Sequence, residues 1–240
     1  MNNQTDKSVR AECVVTLQPN TLQLIDCMDF MRECPSNYFD LAIVDPPYGI
    51  GDYNNKPILD KRSGKKWIST SEKYKKINWN DTIPSKEYFE ELKRVAKNHI
   101  IFGFQFYTQY LWSELKGVII HDFVDHSFNM SHADVAITNL QKRTTVYEYL
   151  WSGFKKEYKN PMDKNRIHPA EKPNSLYKWL LKNYAKTGYK ILDTHVGSGS
   201  SLVACKELGF EYYGCEIDEE YFAKANERIA RAYRKYELFE

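Results

Sequence analysis

The feature that most constrains the fold is a short apolar run that two prolines interrupt. Residues Leu41–Val44 are all apolar, and Asp45-Pro46-Pro47-Tyr48 follows directly. Proline fixes φ and has no backbone N–H, so a sheet strand is not expected to continue through the pair. A continuous apolar run bounded in this way indicates a buried strand. We therefore expect Asp45, the prolines and Tyr48 at the carboxyl end of a strand, where open α/β sheets hold their ligands.

This turn is a candidate site for an amino group on a planar base. The Asp45 carboxylate and the Pro46 carbonyl are acceptors, the prolines add no competing N–H donor, and the Tyr48 ring is beside them. An ordinary strand-ending turn with a surface tyrosine is the more frequent explanation of a single Pro-Pro pair. The functional interpretation therefore depends on two motifs further along the chain.

A glycine-containing turn supplies the first of these motifs. Residues 191–200 suggest a short strand, a turn with Gly197 and Gly199, and the start of a helix, whose backbone amides would face a polar ligand. A dinucleotide fingerprint requires a third glycine where this chain has Leu202, which argues against a nicotinamide oxidoreductase.

The second motif is an acidic residue that ends the next predicted strand. Glu216 closes residues 212–216, roughly 20 residues after the glycine turn, where a carboxylate can accept both ribose hydroxyls. An ordinary strand-to-helix turn and a solvated carboxylate are the plain alternatives for the two motifs. Taken together, the glycine turn and Glu216 favour an unphosphorylated adenosine, such as that of S-adenosylmethionine, over a pyrophosphate cofactor.

In order and spacing, these motifs resemble those of the permuted β group of amino-methylating DNA methyltransferases, in which Asp-Pro-Pro-Tyr precedes the cofactor motif. The resemblance covers most of the chain. Its supporting segments are residues 24–27, 40–49, 168–173, 193–200 and 214–218. It implies an α/β fold with a doubly wound, mainly parallel Rossmann-like sheet, an antiparallel edge and a small target-recognition insertion.

The resemblance also implies roles for individual residues. The catalytic turn is Asp45, Pro46, Pro47 and Tyr48. Residues expected at the cofactor, S-adenosyl-L-methionine, are Asp26, Cys27, Asp45, Lys172, Pro173, Asp193, His195, Gly197, Ser198, Gly199, Ser200, Glu216 and Ile217. A helix cap explains Asp26 nearly as well, and a Pro-bounded linker with a solvated lysine is the alternative for Lys172 and Pro173.

The cofactor loop departs from the family pattern. Thr194 and His195 replace the usual Pro and Phe, and Ser200 replaces the usual Thr. His195 either contacts the cofactor by stacking or hydrogen bonding, or is a satisfied histidine at a strand end. The sequence leaves both interpretations open.

A lysine-rich stretch follows the catalytic turn. Residues 56–76 hold eight basic residues against two acidic ones, with aromatic residues interleaved, as expected of a DNA-contact loop over about 51–82. The predicted DNA-binding residues are Lys61, Arg62, Lys65, Lys66, Lys73, Lys75 and Lys76. A solvated loop is the alternative.

The resemblance places recognition of the DNA sequence in a segment at about residues 121–165. Side chains there with suitable donors and acceptors are Asn129, Ser131, His132, Gln141, Lys142 and Arg143.

Alternating strand and helix patterns complete the fold prediction. Strands are expected at 13–17, 22–26, 41–44, 100–104, 118–124, 145–151, 191–193 and 212–216. Helices are expected at 27–34, 85–97, 106–115, 175–185, 200–208 and 218–234. One methyltransferase domain over residues 1–240 accommodates them.

Composition indicates where the protein acts. The net charge of +2 is too small for a general nucleic-acid coat, and the five cysteines lack zinc spacing, as expected in a reducing cytosol. The sequence has no membrane span, so we expect a cytoplasmic protein of a prokaryotic or phage-infected cell. The expected partner is DNA, and the resemblance allows a homodimer and a cognate restriction endonuclease. No metal is required.

The predicted reaction is site-specific methylation of adenine N6 in DNA. The resemblance favours adenine because Asp45 occupies the position where cytosine enzymes of this group usually have Ser. Cytosine N4 methylation, methylation of RNA or protein amines, and a catalytically silent DNA-binding module are the alternatives.

Overall fold

A computed structural model describes residues 17–51, 57–59, 61–68, 79–127, 129, 131–152, 155–156 and 167–232. The strands are β1 (Thr21–Leu24), β2 (Leu41–Val44), β3 (Pro57–Leu59), β4 (Lys66–Ile68), β5 (His99–Phe102), β6 (Gly117–Asp122), β7 (Ala133–Thr138), β8 (Thr144–Glu148), β9 (Trp151–Ser152), β10 (Lys155–Lys156), β11 (Lys190–Asp193) and β12 (Glu211–Glu216). The helices are α1 (Cys27–Glu33), α2 (Lys86–Val95), α3 (Thr108–Leu111), α4 (Asn174–Tyr184), α5 (Ser200–Leu208) and α6 (Glu219–Arg231).

A mainly parallel sheet organises the described part of the chain. Its strand order is β1-β12-β11-β2-β5-β7-β6-β8, and β7 runs antiparallel to both of its neighbours. The pairs β3–β4 and β9–β10 are small antiparallel hairpins outside this sheet. Because every strand of the large sheet except β7 points the same way, the carboxyl ends of β1, β12, β11, β2, β5, β6 and β8 meet at one edge.

Helices cover both faces of the sheet, as a doubly wound fold requires. On one face, α4, α5 and α6 contribute buried residues such as Leu180, Leu202 and Ile229. On the other face, α1, α2 and α3 contribute Phe30, Leu92 and Leu111. Each face of the sheet therefore has its own apolar core.

Local sequence explains where the site-bearing elements begin and end. Strand β2 is buried throughout, because helices cover both of its faces, and it ends where Asp45 and the prolines begin. Helix α5 follows Gly199, whose φ of +78° lies in the left-handed region, and it ends at Gly209, whose φ is +77°. The sharp turn before α5 places the helix amino terminus at the carboxyl edge of the sheet.

The predicted fold class is confirmed, with one change in topology. The antiparallel strand was expected at an edge of the sheet, but β7 lies between β5 and β6. Residues 121–165 are therefore not a simple insertion, because they contain β7 and the edge strand β8. The helix expected at 106–115 is shorter, since 3-10 turns at Phe104–Phe106 and Trp112–Glu114 flank α3. Most of the strand expected at 13–17 lies outside the described residues.

Among the described residues, no helix combines the length and the apolar character that crossing a membrane would require.

Candidate active site

The candidate site forms where the carboxyl ends of the parallel strands meet. Asp45 follows β2, and the glycine loop follows β11, which is the neighbouring parallel strand. Glu216 ends β12, the next strand along. Because β7 is antiparallel, its first residues lie at this edge instead of its last. The fold thus brings Asp45, the glycine loop and Glu216 to one edge of the sheet.

Asp45 lies in a network of charged and polar side chains. Its Oδ1 accepts a short hydrogen bond from the Tyr48 hydroxyl, and its Oδ2 lies 2.5 Å from Nζ of Lys172. Lys172 Nζ is also 3.1 Å from the Tyr48 hydroxyl. The side chains are largely buried, with exposed fractions of 14% for Asp45 and 5% for Lys172.

Burial and charge set the protonation of this network. Burial raises the pKa of Asp45, and the Lys172 ammonium opposes that rise. Burial alone would lower the pKa of Lys172, but the carboxylates of Asp134 and Asp45 outweigh it and raise that pKa. Burial and the Asp45 charge raise the pKa of Tyr48 well above 10.0, so its phenol stays protonated and donates.

A tyrosine and an asparagine hold the backbone of the catalytic turn. The Tyr107 hydroxyl lies 2.6 Å from the carbonyl oxygen of Pro46 and 2.7 Å from that of Pro47. The Tyr48 amide donates to Oδ1 of buried Asn80 over 2.8 Å. Tyr107 has one proton to donate and a carbonyl has two lone pairs, so the Pro46 carbonyl retains capacity for a second donor.

The Tyr48 ring is packed against the turn that follows β5. It stacks on Phe106 with ring centroids 4.8 Å apart and an interplanar angle of 17°. Gly103 passes beneath it with φ +77°, and a Cβ on Gly103 would lie 2.3 Å from Tyr48 Cε1. The ring orientation therefore depends on the absence of a side chain at residue 103.

Glu216 ties the glycine loop to β12. One oxygen accepts from the Gly197 amide over 2.8 Å, and the other accepts from the amides of Ile217 and Asp218 over 3.0 and 2.9 Å. Burial raises the pKa of Glu216, and these three amides oppose the rise. Ile217, immediately beyond, is 65% exposed. An acceptor carboxylate beside an exposed apolar side chain suits the ribose and base of an adenosine.

The other residues of the glycine loop are engaged within the protein. Asp193 is buried, accepts from Ser201 Oγ and from the His195 amide, and burial raises its pKa to about 7. Ser198 Oγ lies 2.9 Å from Ser200 Oγ, and Arg228 donates to the Ser198 carbonyl and to Ser200 Oγ over 3.1 and 3.0 Å. A ligand contact at Ser198 or Ser200 would therefore come from the backbone.

The structure gives Asp26 the role of a helix cap. Its Oδ1 accepts from the Met28 amide over 2.7 Å at the start of α1. Cys27 follows it and lies partly buried, and burial raises the thiol pKa to about 12, so the thiol is protonated at neutral pH. Asp26 and Cys27 lie beside the end of β12, where the Ile25 amide donates to the Glu216 carbonyl. They are thus placed near the predicted cofactor site, with the Asp26 carboxylate engaged in capping.

His195 is held by its neighbours. Its Nδ1 lies 3.0 Å from Thr194 Oγ1 and 3.5 Å from the Tyr88 hydroxyl, and the Tyr88 ring meets it edge-on at 5.2 Å. Burial lowers the pKa of His195 to about 4, so the ring is neutral at pH 7. These contacts favour the interpretation of His195 as a histidine whose polar contacts are made within the protein.

Lys172 and Pro173 precede α4 and have different positions in the site. Pro173 occupies the N-cap position of the helix and is buried. The Lys172 ammonium contacts Asp45 and Tyr48, and its contact with the cofactor stays a prediction. Nearby, the Trp79 ring stacks on His168 at 5.1 Å.

The described part of the basic loop lies at the same edge as Asp45. Lys61, Arg62 and Lys65 are exposed, and the Lys61 amide donates to the carbonyl of Ser127, in the connection between β6 and β7. Arg62 lies 3.9 Å from Asp125 in that connection. Lys66 belongs to β4, whereas Lys73, Lys75 and Lys76 lie outside the described residues.

The candidate base-reading residues separate into two groups. Asn129, Ser131 and His132 are exposed and precede β7 at the Asp45 edge. Residues 141–143 connect β7 to β8 at the opposite edge, because the antiparallel strand carries the chain across the sheet. Gln141, Lys142 and Arg143, which have suitable donors and acceptors, therefore lie away from the Asp45 edge.

Sequence reasoning missed several residues that build the site. They are Asn80, Phe106, Tyr107, Asp134 and Arg228. Tyr107 and Asp134 lie far from the motifs in the sequence, and only strand pairing brings them to Asp45. A strand assignment at 133–138 would have placed Asp134 at the correct edge, but only residues 135–137 form an apolar run there, and polar residues flank it.

Comparisons with known proteins agree with this geometry. Residues 104–227, more than half of the chain, match the N6 and N4 methyltransferase family model, which is described as DNA methylase. The Type II methyltransferase M.HpaI of Haemophilus parainfluenzae is 26% identical over 237 residues, which cover 83% of this chain and 70% of that protein.

Two solved structures share the fold. One, described as an M1.HpyAVI–SAM complex, has a TM-score of 0.53 at 18% identity, covering 86% of this chain and 98% of that one. The other, PvuII DNA methyltransferase, described as cytosine-N4-specific, has a TM-score of 0.55 at 10% identity, covering 87% and 85%. With the family match, the conclusion is that this chain belongs to the N6-adenine and N4-cytosine DNA methylase family.

Proposed function

We propose that this chain transfers a methyl group from S-adenosylmethionine to the N6 amine of adenine in DNA. The observation that carries the proposal is the placement of Asp45 after β2, one strand away from the glycine loop after β11. A base amine at Asp45 would then lie beside a ligand on that loop. Membership of the family supports methylation of a base amine in DNA. The choice of adenine over cytosine is the further part of this proposal.

The residues of the glycine loop fit an adenosine-bearing cofactor. Glu216 would accept a ribose hydroxyl at Oε2, which keeps a lone pair beside its bond from the Gly197 amide, and exposed Ile217 would pack against the adenine. When bound, S-adenosylmethionine supplies a methyl group activated by its sulfonium. The related M1.HpyAVI protein was solved as a complex with the same cofactor.

Asp45 and the Pro46 carbonyl would orient the target amine. The lone pair of an exocyclic amine is delocalised into its ring, so the amine is a weak nucleophile. Two acceptors that hold its two hydrogens direct the nitrogen and favour the charge that develops on it. The Tyr107 contact fixes the Pro46 carbonyl for this purpose. The contribution of these residues is therefore mainly orientation.

A duplex hides the amine, so the target base must leave the stack. Base flipping costs a few kcal/mol, which stacking in the active site offsets. Tyr48, supported from behind by Phe106, is the ring proposed to stack on the flipped base. Lys61, Arg62 and Lys65 lie exposed at the same edge and would contact phosphates.

The choice of adenine follows from the acidic residue at the first position of the catalytic turn. Asp45 fits the adenine pattern of the family that this chain resembles, whereas Ser is usual in its cytosine enzymes. The fold does not make this choice, because PvuII DNA methyltransferase has the same fold and is described as cytosine-N4-specific.

Further features follow from the resemblance and extend the proposal. One domain over residues 1–240 would contain the loop at 51–82 and the recognition segment at 121–165, with base contacts confined to the described part before β7 and to residues beyond β8. A homodimer and a cognate restriction endonuclease are proposed partners. The proposed location is the cytoplasm of a prokaryotic or phage-infected cell, where the DNA substrate lies.

The test is to identify the methylated nucleoside. Purified protein is incubated with methyl-labelled S-adenosylmethionine and unmethylated DNA, and the digested nucleosides are separated. We expect labelled N6-methyladenine from the wild type and none from Asp45→Asn, with cofactor affinity unchanged in the variant. Labelled N4-methylcytosine would overturn the base assignment, and no label on DNA despite cofactor binding would overturn the activity.

A further inference from the structure

A second carboxylate lies behind the Asp45–Lys172 pair. Oδ2 of Asp134, on β7, is 3.8 Å from Lys172 Nζ, which is itself 2.5 Å from Asp45 Oδ2. His121, on β6, places Nδ1 3.3 Å from the same oxygen of Asp134. Four side chains from four parts of the fold therefore form a chain of contacts: Asp45, Lys172, Asp134 and His121.

Strand register fixes this arrangement. His121 and Asp134 are direct partners in the antiparallel β6–β7 pair. His121 is fully buried, and the exposed fraction of the Asp134 side chain is 19%. The imidazole is therefore held by the core, and a tautomer with its proton on Nδ1 donates to Asp134 and limits the movement of that carboxylate.

Lys172 lies close to two carboxylates and to two aromatic rings. Its Nζ is 4.9 Å from the centroid of Phe102 and 5.6 Å from that of Tyr48. A buried ammonium that loses its partner becomes an uncompensated charge, which is strongly unfavourable. If a substrate displaces Lys172 from Asp45, Asp134 is the neighbouring carboxylate that can receive it.

Such a displacement opens Asp45 to an amine. Both of its oxygens have a partner in this structure, one the Tyr48 hydroxyl and the other Lys172. Each oxygen keeps a second lone pair for a hydrogen of the amine, and the amine reaches it more easily when Lys172 moves toward Asp134. The 3.8 Å separation of Lys172 and Asp134 leaves room for a small shift of the ammonium in that direction.

We propose that Asp134 is a positioning residue that shares the Lys172 ammonium with Asp45 and receives it when the target amine binds, with His121 holding the Asp134 carboxylate in place. This inference rests on the proposed function and names two residues that act on Asp45 from behind. Asp134 acts through Lys172 and does not touch the substrate.

A double-mutant cycle tests the inference. In single-turnover methylation with saturating DNA and cofactor, Asp134→Asn should slow transfer by about tenfold, with cofactor affinity within about twofold of wild type. In a protein that already carries Lys172→Met, Asp134→Asn should not slow transfer further. Asp40→Asn is the matched control: Asp40 is 20% exposed and pairs with Lys97 at the opposite edge, so its loss should leave transfer unchanged.

The pH dependence of the methylation rate separates the proposed role of Asp134 from a purely structural one. Groups that face Asp45 are Tyr48 from its own turn, Lys172 before α4, Tyr177 on α4, Asp134 on β7, Tyr107 before α3 and Asp193 on β11. Asp134 raises the pKa of Asp45 by like charge, so Asp134→Asn should move the acidic limb of the rate profile to lower pH. An NMR titration of ¹³C-labelled Asp45 should show the same direction without substrate.

Three results would overturn the inference: transfer by Asp134→Asn that matches Asp40→Asn, losses that multiply in the double variant, or an Asp45 pKa that Asp134→Asn leaves unchanged. A wild-type protein that methylates no DNA would contradict the proposed function. In that case the NMR titration still decides whether Asp134 acts on Asp45.

Discussion

Gly103 controls the candidate site at the scale of a single residue. Its φ of +77° and the 2.3 Å approach of a Cβ to Tyr48 Cε1 are separate obstacles to any side chain. Gly188 has a similar φ of +85°, and nothing lies within 4 Å of the position of its Cβ. The two glycines thus differ mainly in the overlap with Tyr48.

Gly103→Ala should therefore destabilise the protein more than Gly188→Ala. Both variants carry the strain of a left-handed alanine, about 1–2 kcal/mol. Gly103→Ala adds overpacking against a catalytic-turn ring, about 1–3 kcal/mol more. Urea unfolding measures both, and Gly103→Ala should also lower the methylation rate. Equal free energies of unfolding for the two variants would show that Tyr48 moves away without cost.

His99 makes stability depend on pH. Burial lowers its pKa from 6.5 to about 4. Between these values only the unfolded chain binds a proton, so the free energy of unfolding falls as the pH is lowered through this window. At pH 5 the loss from this residue is about 2 kcal/mol. Asp193 acts in the opposite direction, since its raised pKa of about 7 lets the folded chain bind a proton first.

The variant His99→Gln separates the contribution of His99 to this pH dependence from that of Asp193. The decrease in unfolding free energy between pH 7 and pH 5 should be about 2 kcal/mol smaller in His99→Gln than in wild type. Urea unfolding at the two pH values measures this difference. His132→Gln, which removes an exposed histidine, is the control. A His99→Gln protein with the wild-type decrease would contradict the predicted burial effect.

At the scale of elements, Glu216 joins two strand ends through one carboxylate. It accepts amides from the loop after β11 and from the residues after β12. Glu216→Gln loses the charge and turns an amide NH2 toward N–H donors, so cofactor binding should weaken by about 1–3 kcal/mol. Glu211→Gln, at the opposite end of β12, is the control and should bind as wild type does. Calorimetry measures both, and equal affinities would place the ribose elsewhere.

The elements that the sequence predicts well are those defined by local pattern. Strand β2 is visible because an apolar run ends at two prolines, and helix α5 because glycines stand at both of its ends. Strand β7 was missed because its pairing with β5 joins residues far apart in the chain, such as Ile100 and Thr138. The same non-local pairing places Asp134 at the catalytic edge and residues 141–143 at the opposite edge, which no local pattern reveals.

At the scale of the whole molecule, each edge of the sheet carries its own exposed basic residues. The net charge of +2 is small, so attraction to DNA depends on where the basic residues lie. Lys61, Arg62 and Lys65 are exposed on the Asp45 side, near the connection from β6 to β7. Lys142, Arg143 and Lys186 are exposed where strands begin, at the other edge. The chain thus offers two sets, each of two lysines and one arginine, at opposite edges of the sheet.

Replacing the three basic residues of each set by glutamine should show which edge of the sheet faces DNA. Each phosphate contact that is lost makes the negative slope of log affinity against log salt less steep by about 0.9, so removing Lys61, Arg62 and Lys65 should reduce its steepness by about 2–3. The triple variant at Lys142, Arg143 and Lys186 should retain the wild-type slope. Fluorescence anisotropy with labelled duplex between about 50 and 200 mM salt measures both. Equal slopes for the two triple variants would mean that DNA does not approach along the Asp45 edge, and the orientation proposed for the flipped base would fail with it.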